Sequence, residues 1–390
     1  MNKNFVLFLL GHFLSFTGTW INNTALQWLI YKVTHSSFYL GLTNFLSSFP
    51  IILLGFFTGF FIDKYNHKEL FTSVLFLSVL PPLGMGLCMQ IGALTFSKIA
   101  FFVFFAGCLS AFDVPLRQVI ISDIVPLNFL TQALSLQSLS FNIARMIGPM
   151  IAGWFIARNS FSTCFYLNAL SFVPFLFFMK YFINLPETKK ISPAKKFSFF
   201  SSLKEAFMYV RKKLYLLKVI VAVSIFTFFG ASLLVLLPLI VHQGLKGGAK
   251  EFALASSSIG MGAILGALSV TFRKVFKDKR FHLFLANVIL ATGLFGLSLV
   301  KSLFFLLAFC LLIGFSFTNF IPIANSFLQE ECSPEMRGRI VSFFSMSFLG
   351  IYPFGTLTAG FLGAHISYHL LIPLYVGILL SLNTFFLLKK

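Results

Sequence analysis

The chain has 390 residues, 58% of them hydrophobic and only 11% charged, whereas soluble domains carry about a quarter charged residues. A soluble globular fold is excluded. The formal charge of +19 would suggest nucleic acid in a soluble protein, but the basic residues here follow the loops between apolar runs, and no nucleic-acid partner is expected.

Apolar runs of about 20 residues, each long enough to cross a bilayer as a helix, recur along the chain. They are continuous rather than alternating, which selects helices over barrel strands. Twelve spans are expected, at 5–31, 38–62, 70–91, 98–120, 130–157, 161–183, 216–241, 251–272, 281–300, 302–328, 340–363 and 366–388. The expected fold is an all-α membrane protein, its twelve transmembrane helices forming two pseudo-symmetric six-helix bundles. Residues 1–184 would form the first bundle and 216–390 the second. Between them, 185–215 would be a cytoplasmic basic linker with an amphipathic segment at the membrane surface. With both termini cytoplasmic, the outer loops hold only Lys32, Lys98, Arg158, Lys246, Lys250 and Lys301. Arg145 lies well inside a span, and the other Lys and Arg fall on the cytoplasmic side, with Arg117 near the inner end of span 4. That bias follows the positive-inside rule and sets the expected orientation, in a bacterial inner membrane. The 56 Phe read as compositional bias and lipid-facing filler. Cys88, Cys108, Cys164, Cys310 and Cys332 show no paired spacing, so neither a disulfide framework nor a metal cluster is expected.

Span 1 has no small-residue cleavage site and is expected to be retained rather than removed as a signal peptide. Its Ser15, Thr19, Asn22 or Asn23, and Gln27 recur at helical spacing. Such a polar stripe would be unsatisfied against lipid, so it should face a central cavity or a neighbouring helix.

After span 2 the chain reads Gly59-Phe-Phe-Ile-Asp63-Lys64-Tyr-Asn-His67-Lys68. Gly59 would permit close approach of another helix. Asp63 is placed to meet a helix N-terminus, and the basic residues can pair with an acid on an adjacent span. With the two sets of six spans and the long basic central loop, this turn resembles the major facilitator superfamily. The signature of that superfamily here is Gly-x-x-x-Asp-Arg/Lys followed by further basic residues. Lys64, Asn66 and His67 stand where Arg, Gly and Arg are commoner. The resemblance implies alternating-access transport, with Asp63, Lys64, His67 and Lys68 in a gate.

Span 4 ends Ala111-Phe-Asp113-Val-Pro115-Leu-Arg117-Gln118. Asp113 and Arg117 share a helix face, and Asp113 is the only acid placed within a span. In related transporters an acid here meets the basic residues after helix 2, which would join Asp113 to His67 or Lys68 with Arg117 alongside. A structural Asp113–Arg117 pair and a proton carrier are the alternatives. Span 5 contains Asn142-Ile-Ala-Arg145-Met-Ile-Gly148-Pro149-Met-Ile-Ala152-Gly153. Ala144, Gly148 and Ala152 make a small-residue packing face, and Pro149 should kink the helix. This resembles the Gly-Pro signature of antiporters in the superfamily. Arg145 could bind an anionic substrate group bidentately or act as the counter-ion of Asp113. With the opening run Gly18 to Tyr31, these motifs resemble the exporter branch that includes the enterobactin exporter, which leaves the substrate open.

Spans 4–5 match spans 10–11 without a gap at an offset of 207: Gly107 with Gly314, Pro115 with Pro322, Ser135 with Ser342, Gly148 with Gly355, Gly153 with Gly360. Two homologous membrane halves are the plan of many secondary transporters, with substrate between them at mid-bilayer. The charges are not repeated, since Asp113 lies over Phe320, Arg117 over Ala324 and Arg145 over Tyr352. Substrate contacts are expected from Asn22, Asn23, Gln27, Asn142 and Arg145 in the first half and from Asn319 and Tyr352 in the second. No P-loop occurs, so ATP is not the expected energy source, and no His-Glu-x-x-His or other catalytic cluster marks an enzyme. No cofactor is expected. The expected function is secondary export of an amphipathic small molecule, siderophore- or drug-like, with proton coupling as the family expectation. A lysophospholipid or lipid flippase of the same fold is the alternative. The expected partners are that substrate, protons and membrane lipids, and the chain is expected to act as a monomer.

Overall fold

The computed structural model describes residues 3–185, 199–272 and 278–388. Among them all regular structure is helical. Twelve helices are long and apolar enough to cross a membrane. Six precede the linker: α1 Lys3–Thr34, α2 Ser37–Lys64, α3 His67–Gln90, α4 Phe96–Ile124, α5 Leu127–Ile156 and α6 Phe161–Phe182. A short amphipathic helix, α7 Phe199–Lys212, follows. Six more complete the chain: α8 Leu214–Leu245, α9 Ala249–Phe272, α10 Lys279–Ser298, α11 Leu303–Glu331, α12 Pro334–His365 and α13 Tyr368–Leu388. The linker residues 186–198 and the turn residues 273–277, where several of the expected cytoplasmic basic residues fall, lie outside the described residues.

The repeat is carried by the helix boundaries themselves. α4 and α11 are both 29 residues long and start and end 207 positions apart. The 3-10 turns that open α5 and α12, Leu127–Phe129 and Pro334–Met336, keep the same offset. The halves then diverge. α5 is unbroken from Leu130 to Ile156, with Pro149 accommodated inside it, whereas α12 is interrupted by a π segment at Met346–Gly350.

The chain packs as two compact units whose borders are not those of the repeat. The first comprises Met1–Val33, Leu46–Pro193 and Gly248–Ser257, and the second Thr34–Phe45, Ala194–Gly247 and Ser258–Lys390. Small residues explain the exchanged stretches. In the first unit an added Cβ on Gly153 would lie 2.4 Å from Ala253 Cβ, and Trp28 stacks on Phe252 with centroids 5.6 Å apart. In the second, Ser37 Oγ donates to Gly360 O at 2.9 Å, and a Cβ on Gly41 would meet Thr356 O at 2.5 Å. The start of α2 thus packs with α12, and the start of α9 with α5.

Within the first unit, Phe8, Phe71 and Phe175 form an aromatic core near the start of α1, with Phe175 edge-on to both partners at 5.3 Å. Leu116, Ile120 and Met179 complete it, all fully buried. This core is the floor on which the charged side chains of α4 rest. Gly148 brings α5 onto α1, since a Cβ there would lie 2.5 Å from Trp20 Cβ and 3.0 Å from Thr17 O. Gly59 has no such role, because a Cβ there would meet nothing within 4 Å.

Candidate functional site

Five polar side chains from three helices of the first unit form a buried ladder. Arg117 is 3% exposed. Its Nε donates to Asp113 Oδ2 at 2.7 Å and its Nη1 to Ser15 Oγ at 3.2 Å. Ser15 Oγ donates onward to His12 O at 3.1 Å, and His12 Nδ1 lies 3.3 Å from Ser140 Oγ on α5. The guanidinium carbon sits 4.6, 5.0 and 5.6 Å from the ring centroids of Phe16, Phe175 and Phe71. A weakly hydrated, planar cation tolerates such aromatic walls, and the carboxylate neutralises it. Of the alternatives for Asp113, the geometry therefore joins it to Arg117 and not to His67 or Lys68. Asp113 Oδ1 is buried and has no hydrogen-bond partner among the described residues. His12, which no sequence motif marks, stands inside this ladder.

His67 meets a different acid. Asn66 caps α3, its side-chain oxygen accepting from Lys68 N at 2.9 Å and Glu69 N at 3.3 Å. The next residue, His67, places Nδ1 2.7 Å from Asp123 Oδ2 at the end of α4. The second unit repeats the device. Asp278 caps α10, accepting from Arg280 N and Phe281 N at 3.0 and 3.1 Å, and the next residue, Lys279, pairs with Glu330 at the end of α11. Asp123 and Glu330 are themselves 207 apart, like the helices that carry them. Asp63 is not the capping group that the sequence suggests. It lies in the last turn of α2, exposed and without a partner among the described residues. Lys64 rests over Phe60 and Tyr65, 5.5 Å from each centroid.

The expected substrate contacts fall into separate groups. Arg145 is half-buried on α5 with its guanidinium carbon 5.3 Å from the Trp20 ring, and Trp20 packs edge-on against Phe141 at 5.9 Å. Trp20 Nε1 is buried without a hydrogen-bond partner among the described residues. Asn142 is buried one turn before Arg145, and its amide donates to Ser138 O at 2.9 Å. Asn22 is 7% exposed, and its Oδ1 likewise has no partner among the described residues. It lies one turn beyond Gly18, which packs so tightly on α6 that a Cβ would reach Ser171 Oγ at 2.0 Å. Asn23 and Gln27 are half-buried. Thr19 is satisfied inside α1 by Ser15 O at 2.9 Å, so the polar stripe is in part absorbed by its own helix. In the second unit, Asn319 donates to Phe315 O at 3.0 Å and accepts from Ser269 Oγ at 3.3 Å, joining α9 to α11. Tyr352 is half-buried where α12 resumes after its π segment.

Chemically, the Asp113–Arg117 pair of the ladder is internally neutralised, and the Arg145 guanidinium lies beside the Trp20 ring, a setting suited to an anionic or π-rich group. Comparisons with known proteins bear on the whole chain. The family pattern described as "transmembrane secretion effector" matches residues 1–389. The chain is 28% identical to the Staphyloferrin A transporter of Staphylococcus aureus (strain NCTC 8325 / PS 47) over 359 residues, covering 90% of this chain and 87% of that one. It is 26% identical over 219 residues to the uncharacterized MFS-type transporter YfiS of Bacillus subtilis (strain 168), covering 54% and 50%. In fold it is similar to a mutant form of the nucleoside transporter NupG, with a TM-score of 0.82 at 13% identity and full coverage of both chains. A bacterial homologue of the iron transporter ferroportin gives 0.73 at 16%, covering 98% of each. Twelve spanning helices, the doubled six-helix plan and a family match over nearly every residue agree: the chain belongs to the transmembrane secretion effector family, and is a multi-pass transporter of the major facilitator superfamily.

Proposed function

We propose that this transporter exports an amphipathic small molecule, siderophore- or drug-like, carrying an anionic group that Arg145 receives against Trp20. The observation behind this reading is a half-buried guanidinium inside a span beside an indole whose N–H has no partner among the described residues. Intramembrane cations are costly and mark substrate pathways by default. The similarity to a staphyloferrin A transporter supports a substrate of this class. The loop charge bias supports cytoplasmic termini. His67–Asp123 and Lys279–Glu330 would serve as latches between successive spans, with Asp63, Lys64 and Lys68 flanking the first. Asp113 acts in this reading as the holder of Arg117. Protonating it would strand a buried guanidinium, so it is a poor proton carrier.

The test is transport by the purified chain in proteoliposomes, with and without a proton gradient. Probes are a hydroxycarboxylate siderophore, a cationic dye and a lysophospholipid. Arg145→Ala should abolish transport of the anionic probe and spare the cationic one, with Arg145→Lys intermediate. Equal loss for both probes would remove Arg145 from recognition, and transport confined to the lysophospholipid would favour a flippase.

A further inference from the structure

A cavity of about 750 Å3 opens in the first unit between the start of α1, the end of α4 and the first turns of α5. Phe5, Ile124, Pro126, Phe129 and Leu136 wall it, and Gln132 and Ser135 are among its few polar members. The 207-residue offset locates the corresponding place in the second unit, and there it is filled. Pro126, Gln132 and Leu136 correspond to Ser333, Arg339 and Phe343. Those three residues hold α7: Ser333 N donates to Tyr209 Oη at 3.1 Å, Arg339 pairs with Glu205 at 2.5 Å, and Phe343 meets Phe207 edge-on at 6.2 Å. Lys213 adds to the contact: its ammonium lies 4.9 Å from the Tyr209 ring centroid, holds that phenol below its usual range, and donates to Glu331 O at 3.4 Å.

The first unit has lost each polar hook and kept the apolar one. Pro126 has no N–H to donate, Gln132 carries no charge, and Leu136 replaces one apolar side chain by another. Around the mouth, Leu127 and Phe129 are 84% and 52% exposed, where the second unit has Pro334 and Met336 followed by Arg337. An amphipathic helix placed here would find neither the ion pair nor the N–H donor that secures α7. A hydrocarbon chain needs neither. The cavity's volume is within the roughly 300–1,000 Å3 of small-ligand sites, and its rim is apolar at Leu127 and Phe129.

We infer that this cavity binds the acyl chain of a membrane phospholipid, which occupies in the first unit the place that α7 occupies in the second. The inference is independent of the substrate proposed above.

It is tested with the full chain in nanodiscs of phosphatidylethanolamine and phosphatidylglycerol, doped with phosphatidylglycerol bearing a diazirine near the acyl terminus. After irradiation, adducts are mapped by mass spectrometry. They should concentrate on residues 124–136 and be sparse on the corresponding 331–343. Ser135→Trp, which fills the cavity, should remove the first cluster and leave adducts on the lipid-facing part of α4 unchanged. Leu136→Trp serves as a second filling variant, and thermal melting reports whether each is folded. Equal labelling of the two segments, or labelling of 124–136 that survives both tryptophans in folded protein, would overturn the inference.

Discussion

Truncating Asp123 and His67, singly and together, measures what the latch beyond the α3 cap contributes. The two side chains are 22% and 16% exposed and 2.7 Å apart. A hydrogen bond to a charged group in that setting contributes about 1.5–3 kcal/mol. In the second unit Glu330 is 62% exposed, and an exposed pair of this kind contributes only about 0–1 kcal/mol. The geometry thus assigns unequal strengths to two devices that the repeat makes equivalent.

The assay is hydrogen exchange in nanodiscs, read at the amides of Lys68, Glu69 and Leu70, all of which bond to Asn66. The second-unit readout is the amides of Arg280 and Phe281, which bond to Asp278. In a double-mutant cycle, His67→Ala and Asp123→Ala should show a coupling near 1.4 kcal/mol or more, roughly tenfold in local opening. Lys279→Ala and Glu330→Ala should couple by a few-fold at most. Equal couplings, or none between His67 and Asp123, would refute the reasoning that burial sets the strength of these pairs.

Arg117→Leu should lower stability by about 3–5 kcal/mol, because it leaves Asp113 buried and uncompensated. Adding Asp113→Leu should recover much of that loss in the melting temperature. Gly148→Ala forces a Cβ to 2.5 Å from Trp20 Cβ and should cost about 1–3 kcal/mol by overpacking. Gly59→Ala meets nothing within 4 Å and should gain about 0.5–1 kcal/mol from helix propensity. If both glycines respond alike in melting temperature, the packing argument fails. Asn383 donates to Asn287 Oδ1 at 2.6 Å with both side chains fully buried. Asn383→Leu should therefore cost about 1–3 kcal/mol by stranding its partner, and the double leucine variant should cost less than the single one when melting is compared.

The spans were legible because hydrocarbon imposes length and apolarity on every crossing segment. The doubling was legible because Gly and Pro punctuate both halves at one offset. The unit borders were not, because nothing local in Thr34–Phe45 reports that Gly41 will pack on Gly360. Asp113–Arg117 was readable from its spacing along one helix. His12 was not, since its contact with Ser140 crosses 128 positions of chain. Asp63 does not reach a helix N-terminus as its position in the sequence suggests, because α2 runs on to Lys64 and Asn66 caps the next helix. The pair of acids at Asp123 and Glu330 did carry a signal, namely the repeat offset itself. Both acids lie past the expected span ends at 120 and 328, because α4 and α11 run on to Ile124 and Glu331.

The asymmetry between the halves is therefore confined to one layer. Charge is one-sided only in the membrane interior, where Asp113, Arg117 and Arg145 correspond to Phe320, Ala324 and Tyr352 in the repeat. At the helix ends it is two-sided, with a cap, a base after the cap and an acid on the neighbouring span in each unit. The two layers also differ in strength. The end pairs are partly solvated, so water can replace either partner at a cost of no more than about 3 kcal/mol. The ladder sits among phenylalanines, where breaking it leaves a bare buried charge. A protein built this way yields first at its ends and keeps the interior of α1, α4 and α5 rigid. In the function proposed above, motion would belong to the elements that the two halves share, and chemical discrimination to the charges that only the first half holds.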